Sequence, residues 1–219
     1  MALDDDTRRD AAELAARYPQ ARSALLPMLH LVQSVEGYVS PRGIALCAEV
    51  LDLTPAEVSA VATFYTMYKR RPVGKHHIGV CVNTMCAVLG GDALWEAVSN
   101  RLGIGHEESR QDGMFSAERI ECQAACTHAP VLTVDWEFFD QVSVEAAMDI
   151  IDRLEAGQEV VPSRGATIRD FQANERTLAG FDDGLADQGP AADDLMLAGL
   201  RRAKELGQQA PPPPSTRGR

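Results

Sequence analysis

The sequence predicts an α+β protein in three parts: a helical bundle over residues 1–72, a small mixed sheet-and-helix domain over 73–159, and an extended tail over 160–219. Three observations carry this reading. Residues 7–70 repeat apolar side chains at helical spacing behind recognisable helix starts. From His77 the pattern changes to short apolar runs suited to buried strands, interrupted by helical stretches. Beyond Val160, Gly, Asp, Ala and Pro dominate and apolar residues thin out.

The elements follow in order. Ser23 to Val32 carries apolar residues at helical spacing and ends near Gly37. Pro27 is tolerated only in a first turn, so this helix begins close to Ser23. Ser40-Pro41 is an N-cap followed by Pro at the first helical position, leading into Ile44–Leu51. Thr54-Pro55-Ala56-Glu57 adds the Glu of a capping box and opens a helix expected to carry Val58, Val61, Phe64, Tyr65 and Tyr68. The three aromatic residues read as core. The basic turn Lys69-Arg70-Arg71-Pro72 closes the bundle.

His77–Val82 then reads as a buried strand, and Asp92 as the cap of a helix with Leu94, Trp95, Val98 and Leu102 on one face. Ile120 closes a second strand, Val131–Val134 forms a third and Phe138–Val142 a fourth. Ser143 caps a last helix bearing Ala147, Ile150, Ile151 and Leu154. A crossover unit followed by a hairpin fits a small sandwich of the thioredoxin type. In the tail, one helix is expected from Ala191 to Leu206, before the polyproline run Pro211–Pro214. The tail is either disordered or a partner-binding strap anchored by Leu195, Leu200 and Leu206.

Composition narrows the function. The chain has 219 residues and a net charge of −11, from 32 acidic residues against 21 Lys and Arg. Nucleic acid and anionic membrane surfaces call for a basic face, so both are disfavoured. No apolar stretch is long enough to span a bilayer. Met1–Asp10 holds four aspartates and no apolar signal-peptide core, so a cytoplasmic setting is expected. Disulfides are rare there, and paired cysteines point to metal binding or redox work.

Four of the five cysteines form two close pairs, Cys81-x4-Cys86 and Cys122-x3-Cys126. Each pair can bite one metal ion, and each follows an apolar run. Together they supply the four sulfur ligands of one zinc ion or one [2Fe-2S] cluster. Spacing alone tilts toward iron-sulfur, with zinc and a redox disulfide left open. The C-x-x-C of thioredoxins is absent. Gly90 and Gly91, just beyond Cys86, would let backbone approach the site closely. His76, His77 and His128 are read as solvated loop residues rather than ligands, and Cys47 as an inert core thiol.

The run Ala62-Thr63-Phe64-Tyr65-Thr66-Met67-Tyr68, then the two cysteine pairs, the second followed by Ala129-Pro130-Val131, resembles the thioredoxin-like [2Fe-2S] subunit of NADH:quinone oxidoreductase, respiratory complex I. The resemblance covers roughly residues 10–157. It implies a thioredoxin-like [2Fe-2S] ferredoxin domain with Cys81 and Cys86 on one iron and Cys122 and Cys126 on the other. It implies an electron-transfer subunit without a catalytic residue of its own, exchanging single electrons with FMN. NADH and FMN would sit on a flavoprotein partner, beside the larger iron-sulfur subunit of the peripheral arm. It places the chain on the cytoplasmic side of the inner membrane. Related subunits serve NAD-linked hydrogenases and formate dehydrogenases. A zinc-stabilised interaction module is the reading of a different class. Two departures bear on the cluster's surroundings: Met85 stands where the family usually has Pro, and Ala124-Ala125 where it often has Gly-Ala.

Overall fold

The computed structural model describes residues 3–189 and 192–211. The N-terminal helices are α1 (Asp5–Ala16), α2 (Leu25–Glu36), α3 (Pro41–Leu51) and α4 (Pro55–Phe64). Their starts follow the local chemistry. Ser40 Oγ accepts from Gly43 N, Thr54 forms a capping box with Glu57, and Pro27 lies in the first turn of α2. Leu14, Met28, Leu29, Val32, Leu51 and Val58 form their shared core, with the buried thiol of Cys47 among them. Burial pushes that thiol up to about 12, as an inert core cysteine requires.

The aromatic run departs from expectation. The helix α4 ends at Phe64, Tyr65 turns extended, and only Tyr68 is buried. Phe64 is 76% exposed and Tyr65 45%. The helix stops here because residues 65–75 must leave the bundle for the sheet, and Lys69 is drawn into that sheet to pair with Glu118.

The second part is a five-stranded sheet in the order β2-β3-β1-β4-β5. Its strands are β1 (His76–Cys81), β2 (Glu108–Ser109), β3 (Phe115–Ile120), β4 (Leu132–Val134) and β5 (Glu137–Phe139). Only β1 and β3 run parallel, and the other pairs are antiparallel. The helices of this part are α5 (Thr84–Val88), α6 (Gly91–Leu102) and α7 (Val144–Glu155). The short α5 and the two-residue β2 were not foreseen. Asp92 lies in the first turn of α6, whose N-cap is Gly90 at φ 105°. Side chains alternate across the sheet as strand geometry requires. Ile78, Val80, Phe115, Ala117, Leu132 and Val134 share a core with Trp95, Val98, Ile150 and Ile151 of α6 and α7. The opposite side chains, His77, Ser116, Glu118 and Thr133, are polar yet buried.

What covers that polar face lies in the stretch read as extended tail. A further helix, α8 (Phe171–Leu178), packs on α2, with Phe171 and Glu175 fully buried. The Phe171 ring sits 5.7 Å from His77 and 6.1 Å from Trp136. Glu175 accepts from Trp136 Nε1 at 2.7 Å and lies 2.6 Å from His30 Nδ1. It thereby joins the sheet domain to α2. The last helix, α9 (Ala198–Glu205), is shorter than expected. Leu195, Leu200 and Leu206, expected as anchors, are each more than half exposed. Ala191 and Pro212–Pro214 lie outside the described residues.

Candidate metal centre

Strand pairing brings the cysteine loops together. In the parallel β1/β3 register Cys81 stands opposite Ile120. The chain therefore leaves both strands at the same carboxyl end, the position where open sheets place their sites. Cys81 ends β1 and Cys122 follows β3 by two residues. Antiparallel pairing of β1 with β4 adds the third approach, with Cys81 N donating to Val131 O at 3.1 Å. Cys86 lies within α5, and Cys126 opens a short 3-10 turn ending at His128.

The thiols form two pairs that face each other. Cys122 and Cys126 Sγ are 3.5 Å apart. Burial first, then contact with Cys81, pushes the Cys86 thiol up to about 11, against a lowering by the Val131 amide; Cys126 adds a smaller push. The Cys126 thiol is raised chiefly by its hydrogen bond with Cys122, and Cys81 is near enough to contribute. Cys81 and Cys86 are buried whereas Cys122 and Cys126 are exposed. One pair is thus packed into the protein, among Ile120, Ala125, Ala129 and Val131, and the other faces outward. Among the described residues, no three His, Cys, Asp or Glu side chains converge on one ion position. Two such dithiol pairs would supply the four thiolates of a binuclear iron-sulfur centre, one pair to each metal.

The surrounding backbone explains the local sequence. A Cβ on Gly91 would lie 2.7 Å from Cys81 O and 2.8 Å from the Cys86 carbonyl carbon. The chain therefore closes onto the first pair only with glycine there. In the second loop Ala124 adopts φ 55°, the left-handed region that disfavours a side chain. This is the position where the resembled family often has glycine.

The histidines correct their sequence reading, because none is solvated. His76 and His77 are 3% and 2% exposed within β1, and His128 is 5% exposed. His76 Nδ1 pairs with Asp135 Oδ2 at 2.8 Å, and His77 Nδ1 with Ser116 Oγ at 2.8 Å. His128 contacts Thr127 Oγ1 and Asp193 Oδ2 through its two nitrogens. Each is buried because it has a polar partner, which a hydropathy pattern does not register. The Val131 amide and α5 were also missed. A short helix inside a C-x4-C loop has too few residues to show a period.

Known proteins resemble this chain along most of its length. Residues 11–155 match the family model described as thioredoxin-like [2Fe-2S] ferredoxin. A Mycobacterium tuberculosis protein named as a subunit of NADH-quinone oxidoreductase is 49% identical over 206 residues, covering 94% of this chain and 82% of the relative. A second NADH-quinone oxidoreductase subunit, from Thermus thermophilus, is 36% identical over 163 residues, covering 73% of this chain and 90% of the relative. A solved NAD+-reducing [NiFe]-hydrogenase in the H2-reduced state superposes with a TM-score of 0.54 at 19% identity. It covers 60% of this chain and 22% of that chain, a likeness of fold alone. With a family match spanning both cysteine loops, and relatives of this identity along most of its length, the chain belongs to the thioredoxin-like [2Fe-2S] ferredoxin family.

Proposed function

We infer that this chain is the electron-transfer iron-sulfur subunit of the NADH-oxidising part of an NADH:quinone oxidoreductase, with Cys81 and Cys86 holding one iron and Cys122 and Cys126 the other. The observation that carries the site assignment is the parallel β1/β3 register, which sets both cysteine loops at the carboxyl ends of neighbouring strands. When bound, the cluster supplies a one-electron acceptor and donor.

The chain's own groups do the holding. The buried pair fixes one side of the centre against Ile120 and Val131, while Gly91 lets the backbone close around it. The Val131 amide lowers the Cys86 thiol and so favours its thiolate. Metal binding must displace the protons these raised thiols otherwise keep, so loading is favoured by rising pH. The exposed pair faces the side from which an electron partner must approach.

The chain has no glycine-rich dinucleotide fingerprint. NADH and FMN therefore sit on a flavoprotein partner, with the larger iron-sulfur subunit of the peripheral arm adjoining. The names and identities of the relatives favour a quinone-linked assembly over a hydrogenase. Among the described residues no helix is long and apolar enough to cross a membrane. The same reading places the chain as a peripheral subunit on the cytoplasmic side of the inner membrane. The test is reduction by NADH. The reconstituted chain should stay oxidised with NADH alone and become reduced when the flavin-bearing subunit is added. Reduction by NADH without that subunit would refute the assignment.

A further inference from the structure

The aromatic segment 64–72 is the part of the chain whose chemistry its own fold leaves unused. Phe64 and Tyr65 point outward, their rings edge to face at 4.9 Å, and Tyr68 continues the series inward at 6.2 Å from Tyr65. Further along the segment, Arg70 and Arg71 are exposed and make no hydrogen bond or ion pair with any described residue. On a chain of net charge −11, two adjacent unpaired guanidinium groups are a local exception. Both line the mouth of a cavity of about 340 Å³, which lies between this segment and the sheet edge. The cavity runs inward toward His77, whose Nε2 is buried and lies 3.3 Å from Glu118 Oε1 without forming a hydrogen bond. On the far lip Glu108 is engaged by Gly105 N, and Glu118 inside is paired with Lys69.

We propose that this corner is a docking site for an acidic segment of the flavin-bearing partner subunit, its carboxylates held by Arg70 and Arg71 and an apolar side chain seated against Phe64 and Tyr65. The proposal rests on the functional reading above, which supplies the partner. Charge complementarity chooses the segment: the unpaired groups on the near lip are cations, and Glu107 and Glu108 on the far lip repel a carboxylate toward them. Residue type agrees, since aromatic residues and Arg dominate the energetic centres of interfaces. The cavity volume is at the small end of ligand pockets and suits a side chain rather than a dinucleotide.

The test uses the intact chain carrying its cluster and the purified flavin-bearing partner of the same organism. Arg70→Glu combined with Arg71→Glu should weaken association by about 30-fold or more, the size of a hot-spot loss. Phe64→Ser should weaken it by about 10-fold or more. All three side chains are exposed, so the cluster spectrum and unfolding midpoint should stay at wild-type values. A photo-crosslinker at position 64 should capture an acidic stretch of the partner. Wild-type affinity in the charge-reversed variant, or capture of a basic stretch, would overturn the docking site while leaving the electron-transfer role standing. Failure of the wild-type chain to bind any flavin-bearing partner would overturn both.

Discussion

Glu175 offers the sharpest test of how the three parts of the chain are held together. Its carboxylate is fully buried, 2.7 Å from the Trp136 indole nitrogen and 2.6 Å from His30 Nδ1. Replacing it with alanine removes both contacts and strands the indole N–H of half-buried Trp136 and an imidazole that is only 12% exposed. Breaking one side of such a buried polar pair costs about 3–5 kcal/mol. The Trp136 bond, made to a carboxylate, accounts for about 1.5–3 kcal/mol of this. Glu175→Ala should therefore lower stability by about 3–5 kcal/mol in urea unfolding followed by far-UV circular dichroism. Trp136→Phe removes the N–H donor and keeps an aromatic ring at the cost of the second ring of the indole, a packing loss that the double-mutant cycle subtracts. In the double-mutant cycle the two changes should couple by about 1.5–3 kcal/mol. Additivity to within about 0.5 kcal/mol would mean that Glu175 does not join α8 to the sheet.

Three further outcomes follow from the same geometry. Ala124→Gly relieves a left-handed residue, so its stability should stay within about 1 kcal/mol of wild type or rise; Ala125→Gly, at φ −106° and buried, should destabilise, as thermal melts of the two would show. Gly91→Ala drives a Cβ into the Cys81 and Cys86 backbone and should cost about 1–3 kcal/mol along with most of the cluster, read from iron content. Burial would raise the Glu118 carboxyl, but contact with His77 and the Lys69 ammonium outweighs it and holds the group at about 2. A carboxyl lowered on folding stabilises the protein above its unfolded pKa and loses that contribution as pH falls through the folded one. About 3 kcal/mol should disappear between roughly pH 5 and pH 2, so the urea midpoints of wild type and Glu118→Gln should converge across that window.

The sequence made the helix starts and the apolar strand faces legible because both are local. Ser40, Thr54 and Ser143 each cap the helix they precede. The alternation Ile78, Val80 and the spacing Trp95, Val98, Leu102 record which side meets the core. The loops carrying the four cysteines could be marked from spacing, but their meeting depends on a register between β1 and β3 that no local pattern encodes. The polar half of the interior was illegible for a different reason. His77 reads as solvated, and Glu118, Asp135 and Glu175 carry no local mark of burial, because hydropathy scores each residue alone, whereas their burial depends on partners 30 or more residues away. The helix α8 was missed on the same ground. The aromatic run erred in the opposite direction, since Phe64 and Tyr65 have core-like side chains and lie on the surface.

In the proposed site Cys81, Cys86, Cys122 and Cys126 together hold one binuclear iron-sulfur centre. Iron and acid-labile sulfide per chain, measured with the EPR signal of the reduced protein, test it most directly across single cysteine-to-alanine variants. The wild type should carry about two irons and two sulfides, with the native signal lost or altered in each of the four variants and intact in Cys47→Ala. A colourless protein holding one zinc per chain, or a native signal that survives Cys122→Ala and vanishes in Cys47→Ala, would contradict it.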